Sequence, residues 1–250
     1  MAEFDRQASR PYGMGASRAD AGVYDEGLRA YMLQVYNYMA IGLAVTGLVA
    51  FGAFSMAIDG SGQLTAFGQA IYVSALKWVI IFAPLAMVFF LSARIGSMSQ
   101  SGAQMAFWVF AALMGLSLSS IFLVFTGTSI ARVFFITAAS FGALSLYGYT
   151  TKKDLSGWGS FLFMGLIGII IASIVNLFIG SSALQFAVSV IGVLVFAGLT
   201  AYDTQQIKEM YDVNDDGTVS GRKAIMGALR LYLDFINLFM MLLQLFGNRQ

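Results

Sequence analysis

The sequence predicts an all-α polytopic membrane protein, a bundle of seven transmembrane helices. Of its 250 residues, 58% are hydrophobic and only 11% are charged, whereas a soluble domain carries roughly 25% charged residues. The mean hydropathy is +0.77, and the charges fall between long uncharged stretches. This composition cannot cover an aqueous surface, so it excludes an ordinary soluble enzyme.

The composition also excludes several kinds of chemistry. A net charge of +1 gives no general attraction to nucleic acid, and no Cys is present for disulfides, thiolate nucleophiles or Cys-based zinc sites. The chain also has no His, which removes the commonest general base and the usual sensor of near-neutral pH. We therefore predict neither an enzyme nor a cofactor, and any response to pH must come from carboxylates.

Each span follows from an uncharged stretch that provides the roughly 20 apolar residues needed to cross a bilayer. The predicted spans lie near residues 34–57, 78–96, 104–125, 130–150, 157–179, 183–208 and 224–246. The uncharged stretch 155–202 must hold two of them, with a turn at residues 180–182. A transmembrane β-barrel would need alternating polar and apolar residues, and runs such as 161–171 do not alternate.

The first 28 residues differ in composition from the rest. They are rich in charged and small residues and cannot bury a core. We predict a disordered cytoplasmic segment over residues 1–28, with 22–36 able to form an interfacial helix, and a transmembrane domain over 29–250. The apolar run begins late and is too long for a cleavable signal peptide.

The distribution of Lys and Arg predicts the orientation. With seven spans, ten basic residues fall on the side of the N-terminus and three on the other: Arg6, Arg10, Arg18, Arg29, Arg94, Lys152, Lys153, Lys208, Arg222 and Lys223 against Lys77, Arg132 and Arg249. We therefore expect a cytoplasmic N-terminus and an external C-terminus. Small residues four apart predict close helix contacts: Ala138 with Gly142, Ala139 with Ala143, and Gly168 with Ala172.

Two aspartates inside predicted spans are the leading functional candidates, because intramembrane charges are costly and usually functional. Asp203 and Asp234 lie about equally far from the turn centred near residues 217–218. In an antiparallel hairpin they should therefore face each other at one depth. Two carboxylates in a low-dielectric site cannot both ionise cheaply, so the pair can share a proton and titrate as one unit. They also supply hard oxygen ligands for Ca²⁺. The alternative is that they only fix helix packing.

Two arginines accompany the pair. Arg230 precedes Asp234 by four residues, which places both on one face of the last span; it either pairs with Asp234 or extends toward the cytoplasmic interface. Arg94 ends the second span and could reach inward. Residues 212–223 copy the first half of an EF-hand loop, but Lys223 stands where the loop needs a bidentate Glu. We interpret this segment as a solvated turn, with weak Ca²⁺ binding as the alternative.

The segments around these aspartates resemble the most distinctive motifs of the Bax inhibitor-1 family, in particular its bacterial branch. The matching segments are residues 201–208 (AYDTQQIK), 231–239 (LYLDFINLF), 152–156 (KKDLS) and 176–178 (NLF). The resemblance runs from about residue 30 to 248. It implies a seven-helix bundle with the last span central, a pH-sensitive Ca²⁺ leak, and localisation in a bacterial inner membrane.

The resemblance also implies roles for individual residues. The family's paired aspartates match Asp203 and Asp234 and form a proton-sensing latch, to which an arginine late in span 2, matching Arg94, contributes. Arg230 departs from the family's pattern. The leading hypothesis is therefore a cation pathway gated by the binding of protons, with Ca²⁺ the expected ion among other cations.

Two other classes of function stay open from the sequence. One is a non-conducting regulator that binds another membrane protein, such as a quality-control protease. The other is an intramembrane aspartyl protease. Its second motif should read Gly-x-Gly-Asp, where this chain has Leu231-Tyr232-Leu233-Asp234.

Overall fold

The protein is an all-α bundle in the computed structural model, which describes residues 18–250 and their side chains from residue 24 onward. The helices are α1 (Arg18–Ala57), α2 (Ala66–Tyr72), α3 (Leu76–Arg94), α4 (Gln100–Leu118), α5 (Gly127–Thr150), α6 (Ser156–Ile179), α7 (Ser182–Glu209) and α8 (Gly217–Phe246). Over these residues, seven helices, all but the short α2, are long and apolar enough to cross a membrane. The predicted fold class and the seven spans are confirmed.

Short polar side chains mark where the spans begin. The side chains of Ser99, Thr126, Ser181 and Asp216 each accept a hydrogen bond from a backbone N–H in the first turn of α4, α5, α7 and α8, respectively. This satisfies donors that a helix leaves free at its N-terminus. The predicted turn between α6 and α7 lies at Gly180, whose φ of +66° is a left-handed conformation that favours glycine.

The last helix is the centre of the bundle. α8 packs against α1, α4, α5 and α7, and its fully buried residues include Leu231, Tyr232 and Leu238. The Tyr232 ring meets the rings of Phe107 and Phe110 of α4 edge-on, and its hydroxyl is 2.6 Å from the Thr46 hydroxyl of α1. By contrast, α6 packs on α7 and α3 on α4, so both leave most of their surface to lipid.

Hydrogen bonds at the two ends of the bundle show which loops share a side. Near the start of α8, Arg222 donates to the carbonyls of Gly96 and Met98 beyond α3, and Lys223 donates to that of Met210 after α7. Lys208 likewise donates to the carbonyl of Tyr149 at the end of α5. Basic side chains at helix C-termini are favoured by the helix dipole, so these cations both hold the rim together and cap their neighbours.

The opposite end carries the C-terminus. The Thr126 N–H donates to the Asn248 carbonyl at 3.0 Å, and the Gln250 N–H donates to the Val124 carbonyl at 3.0 Å. The last residues are therefore fastened to the α4–α5 connection. Apart from Arg230 in the middle of α8, the Lys and Arg residues of the described part of the chain lie toward one end of the bundle or the other, as the seven-span arrangement requires; which end faces the cytoplasm stays a prediction.

The first helix begins before residue 29, where the transmembrane domain is predicted to start: α1 begins at Arg18. Residues 1–17 lie outside the described part of the chain, so disorder there stays a prediction. Leu28 is buried, and Gly27 lies against the Tyr211 hydroxyl with no room for a side chain. Contact with the α7–α8 connection thus explains why the helix extends past the apolar run. The short α2 was not predicted.

The small-residue pairs were only partly informative. Gly142 and Gly168 have open space where a Cβ would be, so they do not mark close helix contacts. The close approaches lie elsewhere: a Cβ on Gly148 of α5 would fall 3.0 Å from the Ala201 Cα of α7, and one on Gly115 of α4 would fall 3.1 Å from the Thr46 Cα of α1.

Candidate functional site

The α7–α8 hairpin brings Asp203 and Asp234 together. Their carboxyl groups lie close enough to interact directly with each other. Asp234 is only 5% exposed, whereas Asp203 is half-buried. Within the described residues, Oδ2 of Asp234 is buried and has no hydrogen-bond partner. A hydrogen bond between two carboxyl groups requires one of them to hold a proton. The protonation state of Asp203 therefore depends on that of Asp234, and the reverse.

The pair lies in the wall of a cavity of about 1020 Å³ between α6, α7 and α8, with Leu85 of α3 also contributing. Most of the lining is apolar, with polar exceptions at Ser160, Ser173, Tyr202, Asp203, Arg230, Asp234 and Asn237. Asn237 lies one turn beyond Asp234, and its Nδ2 donates to the Leu233 carbonyl at 2.8 Å. The other amide atom, Oδ1, cannot donate and is free to accept from water or to bind a cation.

Arg230 shares this cavity and interacts electrostatically with both carboxyl groups. Its side chain is exposed. Within the described residues, one salt bridge between side chains is present, and it joins Lys223 to Asp215 at 2.5 Å. Arg230 therefore lies near the two carboxyl groups without a direct salt bridge to either. It therefore acts on the pair through its charge.

Arg94 lies elsewhere. It is the last residue of α3, its side chain is exposed, and it is absent from the lining of the cavity. The structure thus brings three of the four predicted site residues together and leaves Arg94 outside. Its predicted part in the latch stays a prediction.

The polar connection before α8 is organised as a turn. Oδ1 of Asp212 accepts from the backbone N–H and from Nδ2 of Asn214, both at 2.9 Å, and these bonds lower the pKa of Asp212. Asp216 caps α8, and Asp215 binds Lys223. Each carboxylate therefore already has a partner, which favours the solvated-turn interpretation. Among residues the structure describes, no group of three or more Asp, Glu, His or Cys could hold a metal ion.

Several amide side chains at the other end of α6, α7 and α8 were missed in the sequence. Asn176, Gln185 and Gln244 line a second cavity of about 400 Å³. Oε1 of Gln244 accepts from Ser189 Oγ at 3.0 Å and from Gln185 Nε2 at 3.3 Å. A signal was present: Asn237 and Gln244 follow Asp234 by three and ten residues in an otherwise apolar run, a spacing that places them on one helix face.

The fold and the site together define an integral membrane protein, an α-helical bundle with an intramembrane aspartate pair on its two most central helices. A family model described as "Inhibitor of apoptosis-promoting Bax1" matches residues 28–250. The chain belongs to this Bax inhibitor-1 family, which confirms the resemblance carried by the aspartate motifs.

Bacterial relatives agree with this assignment. The chain is 51% identical over 226 residues to the inner membrane protein YbhL of Escherichia coli K12, covering 90% of this chain and 94% of the relative. It is 49% identical over 227 residues to the uncharacterized protein RP147 of Rickettsia prowazekii, covering 91% and 93%. An uncharacterized protein of Caulobacter vibrioides is 44% identical over 252 residues, at full coverage of both chains.

Proposed function

We propose that this protein is a pH-sensitive leak pathway for cations, with Ca²⁺ the expected ion, controlled by the protonation of Asp203 and Asp234. The observation that carries the proposal is the contact between these two carboxyl groups in one cavity. With one shared proton the contact is attractive. When both groups are ionised, two like charges repel in a site of low dielectric constant, so the separation of α7 and α8 depends on pH.

The ligands around the cavity suit an ion that passes through. High-affinity Ca²⁺ sites gather six to eight oxygen ligands around one ion. This cavity supplies two carboxylates, with neutral oxygens from Asn237, Tyr202 and two serines spread over a volume of about 1020 Å³, and the described residues contain no group of three or more acidic, His or Cys side chains that could hold a metal ion. Conduction requires binding that is strong enough for entry and weak enough for exit. Arg230 lowers the attraction for a cation further, because its charge lies beside both carboxylates.

Localisation in a bacterial inner membrane, with a cytoplasmic N-terminus and an external C-terminus, is part of the proposal. It rests on the likeness to YbhL, whose name places that protein in the inner membrane, and on the ten-to-three division of Lys and Arg. An aspartyl protease is the less favoured alternative, because α8 runs as continuous helix through residues 231–234 and offers no unwound backbone to a peptide.

The deciding experiment is Ca²⁺ flux into proteoliposomes as a function of pH. The native chain should show flux that changes with pH, and Asp234→Asn should remove that change. Asp154→Asn is a matched control, since Asp154 lies in the loop before α6, where its hydrogen bonds with Ser156 lower its pKa. No flux at any pH would contradict the proposal and favour a non-conducting regulator.

A further inference from the structure

One face of α8 continues the polar site toward the C-terminal end of the bundle. Asp234, Asn237, Met241 and Gln244 follow one another at spacings of three, four and three residues, which is the repeat of a single helix face. Gln244 lies ten residues beyond Asp234, a distance of about 15 Å along the helix axis. Three of these four side chains are polar, whereas the residues between them in α8 are apolar.

The two cavities along this face adjoin. The cavity of about 1020 Å³ around the aspartates and the cavity of about 400 Å³ near the end of α8 both lie between α6, α7 and α8, and Ser173 of α6 lines both. The second cavity carries the amides of Asn176, Gln185 and Gln244. Amide and hydroxyl oxygens can replace part of the water shell of a cation. Polar groups therefore extend from the aspartate pair to the end of the bundle.

Met241 is the apolar interruption in this row. It lines the first cavity but not the second, and it is half-buried. A Cβ on Gly192 of α7 would lie 2.8 Å from both Cγ and Sδ of Met241. The absence of a side chain at position 192 leaves space for the thioether in this position, so Met241 packs against the backbone of α7 in the wall of the first cavity, at a level of α8 between Asn237 and Gln244.

We propose that Met241, seated on Gly192, is an apolar gate in a polar path that runs between α6, α7 and α8 from the aspartate pair to the end of the bundle bearing the C-terminus. A narrow apolar segment stops water and ions by dewetting, although its neighbours on both sides are polar. The path admits hydrated cations at its amide-lined mouth. This inference rests on the proposed function but names different residues, and it can be tested without measuring flux.

Cysteine accessibility provides the test, because the native chain has no cysteine. Gln244→Cys and Asn237→Cys place a thiol on either side of Met241. A membrane-impermeant thiol reagent, added on the C-terminal side of proteoliposomes, should label Gln244→Cys readily and Asn237→Cys about tenfold more slowly. Adding Met241→Ala should raise the rate for Asn237→Cys to near that of Gln244→Cys, whereas Met241→Leu, which keeps the bulk, should leave it low.

Met240→Ala is the matched control. Met240 is also half-buried, but it lines neither cavity. Its substitution by Ala removes the same side-chain atoms as Met241→Ala. In this background Asn237→Cys should keep its low rate, which also requires the protein to be folded, and the labelling of Gln244→Cys provides the reference rate in every background. Equal acceleration by Met240→Ala and Met241→Ala would overturn the gate, as would an Asn237→Cys that reacts as fast as Gln244→Cys in the presence of Met241.

The two proposals fail in different ways. A native protein without Ca²⁺ flux at any pH contradicts the leak function, while the labelling rates still decide whether Met241 separates the two cavities. Conversely, if flux depends on pH but Met241→Ala leaves the labelling rate of Asn237→Cys unchanged, the gate is contradicted and the leak function is not. If both proposals hold, Met241→Ala should also increase Ca²⁺ flux by about tenfold over the native chain, and Met240→Ala should not.

Discussion

α6 and α8 are both long transmembrane helices, but they differ in how much of their surface is buried in the bundle. α6 carries no charged residue, and only 11% of its most apolar stretch is buried. α8 carries Arg230 and Asp234 in its middle, and 67% of its most apolar stretch is buried. The more polar helix is therefore the more buried one, which is the reverse of what a soluble protein shows.

The difference shows what drives burial in lipid. An apolar side chain gains little by leaving acyl chains for a protein interior, because both surroundings are apolar. A carboxyl group or amide gains much more, because lipid offers it no partner. α8 thus lies at the centre because its polar groups must meet those of other helices, whereas α6 can remain at the surface.

Substitution of large aromatic residues should show the greatest contrast between the two helices. Tyr232→Ala removes a fully buried ring of α8 and its bond to Thr46, so it should lower the free energy of unfolding by about 3–5 kcal/mol. Phe178→Ala in α6, where the ring is 86% exposed, should change it by less than about 0.5 kcal/mol. Reversible unfolding in mixed micelles measures both. Similar losses would mean that α6 is packed as tightly as α8.

The aspartate pair should behave as one unit. Asp203→Asn and Asp234→Asn should each abolish most of the pH dependence of flux, because either change removes the shared proton. The double variant should add little, since groups in direct contact are not additive. Flux titrations of the three variants and the native chain test this. Two independent and additive shifts would show that the carboxyl groups titrate separately.

Arg230 should have a smaller effect on the same titration. Arg is always charged and disfavours proton binding by a neighbouring carboxylate, so Arg230→Ser should move the midpoint of the flux titration upward by about one pH unit. Arg94→Ser is the comparison, and the position of Arg94 outside the cavity predicts a smaller shift. A downward shift with Arg230→Ser would mean that its charge does not act on the pair as the structure indicates.

Topology mapping perturbs the protein least. Exposed single-cysteine substitutions of charged surface residues should change stability by less than about 0.5 kcal/mol. We expect Arg249→Cys to react with an impermeant reagent from outside the cell and Lys152→Cys to react only after the membrane is opened, following the bias of Lys and Arg. A C-terminus found in the cytoplasm would contradict the proposed orientation.

The sequence alone determined the seven spans, because a bilayer imposes a minimum apolar length and excludes charges from it. It also determined that Asp203 and Asp234 meet, since both lie in a hairpin of two long helices and depth follows from distance to the turn. Pairing across one hairpin is local geometry, so it needs little knowledge of the rest of the bundle.

Only the tertiary structure decided which residues surround that pair. The exposed position of Arg94, the seating of Met241 on Gly192, and the union of amides from α6, α7 and α8 in one cavity depend on helix rotations and separations. The rotation of a helix surrounded by lipid is weakly encoded in its hydropathy, because apolar side chains are accepted on every face. Packing between helices sets these rotations, and the Gly148 contact with Ala201 formed where the spacing of small residues did not predict it.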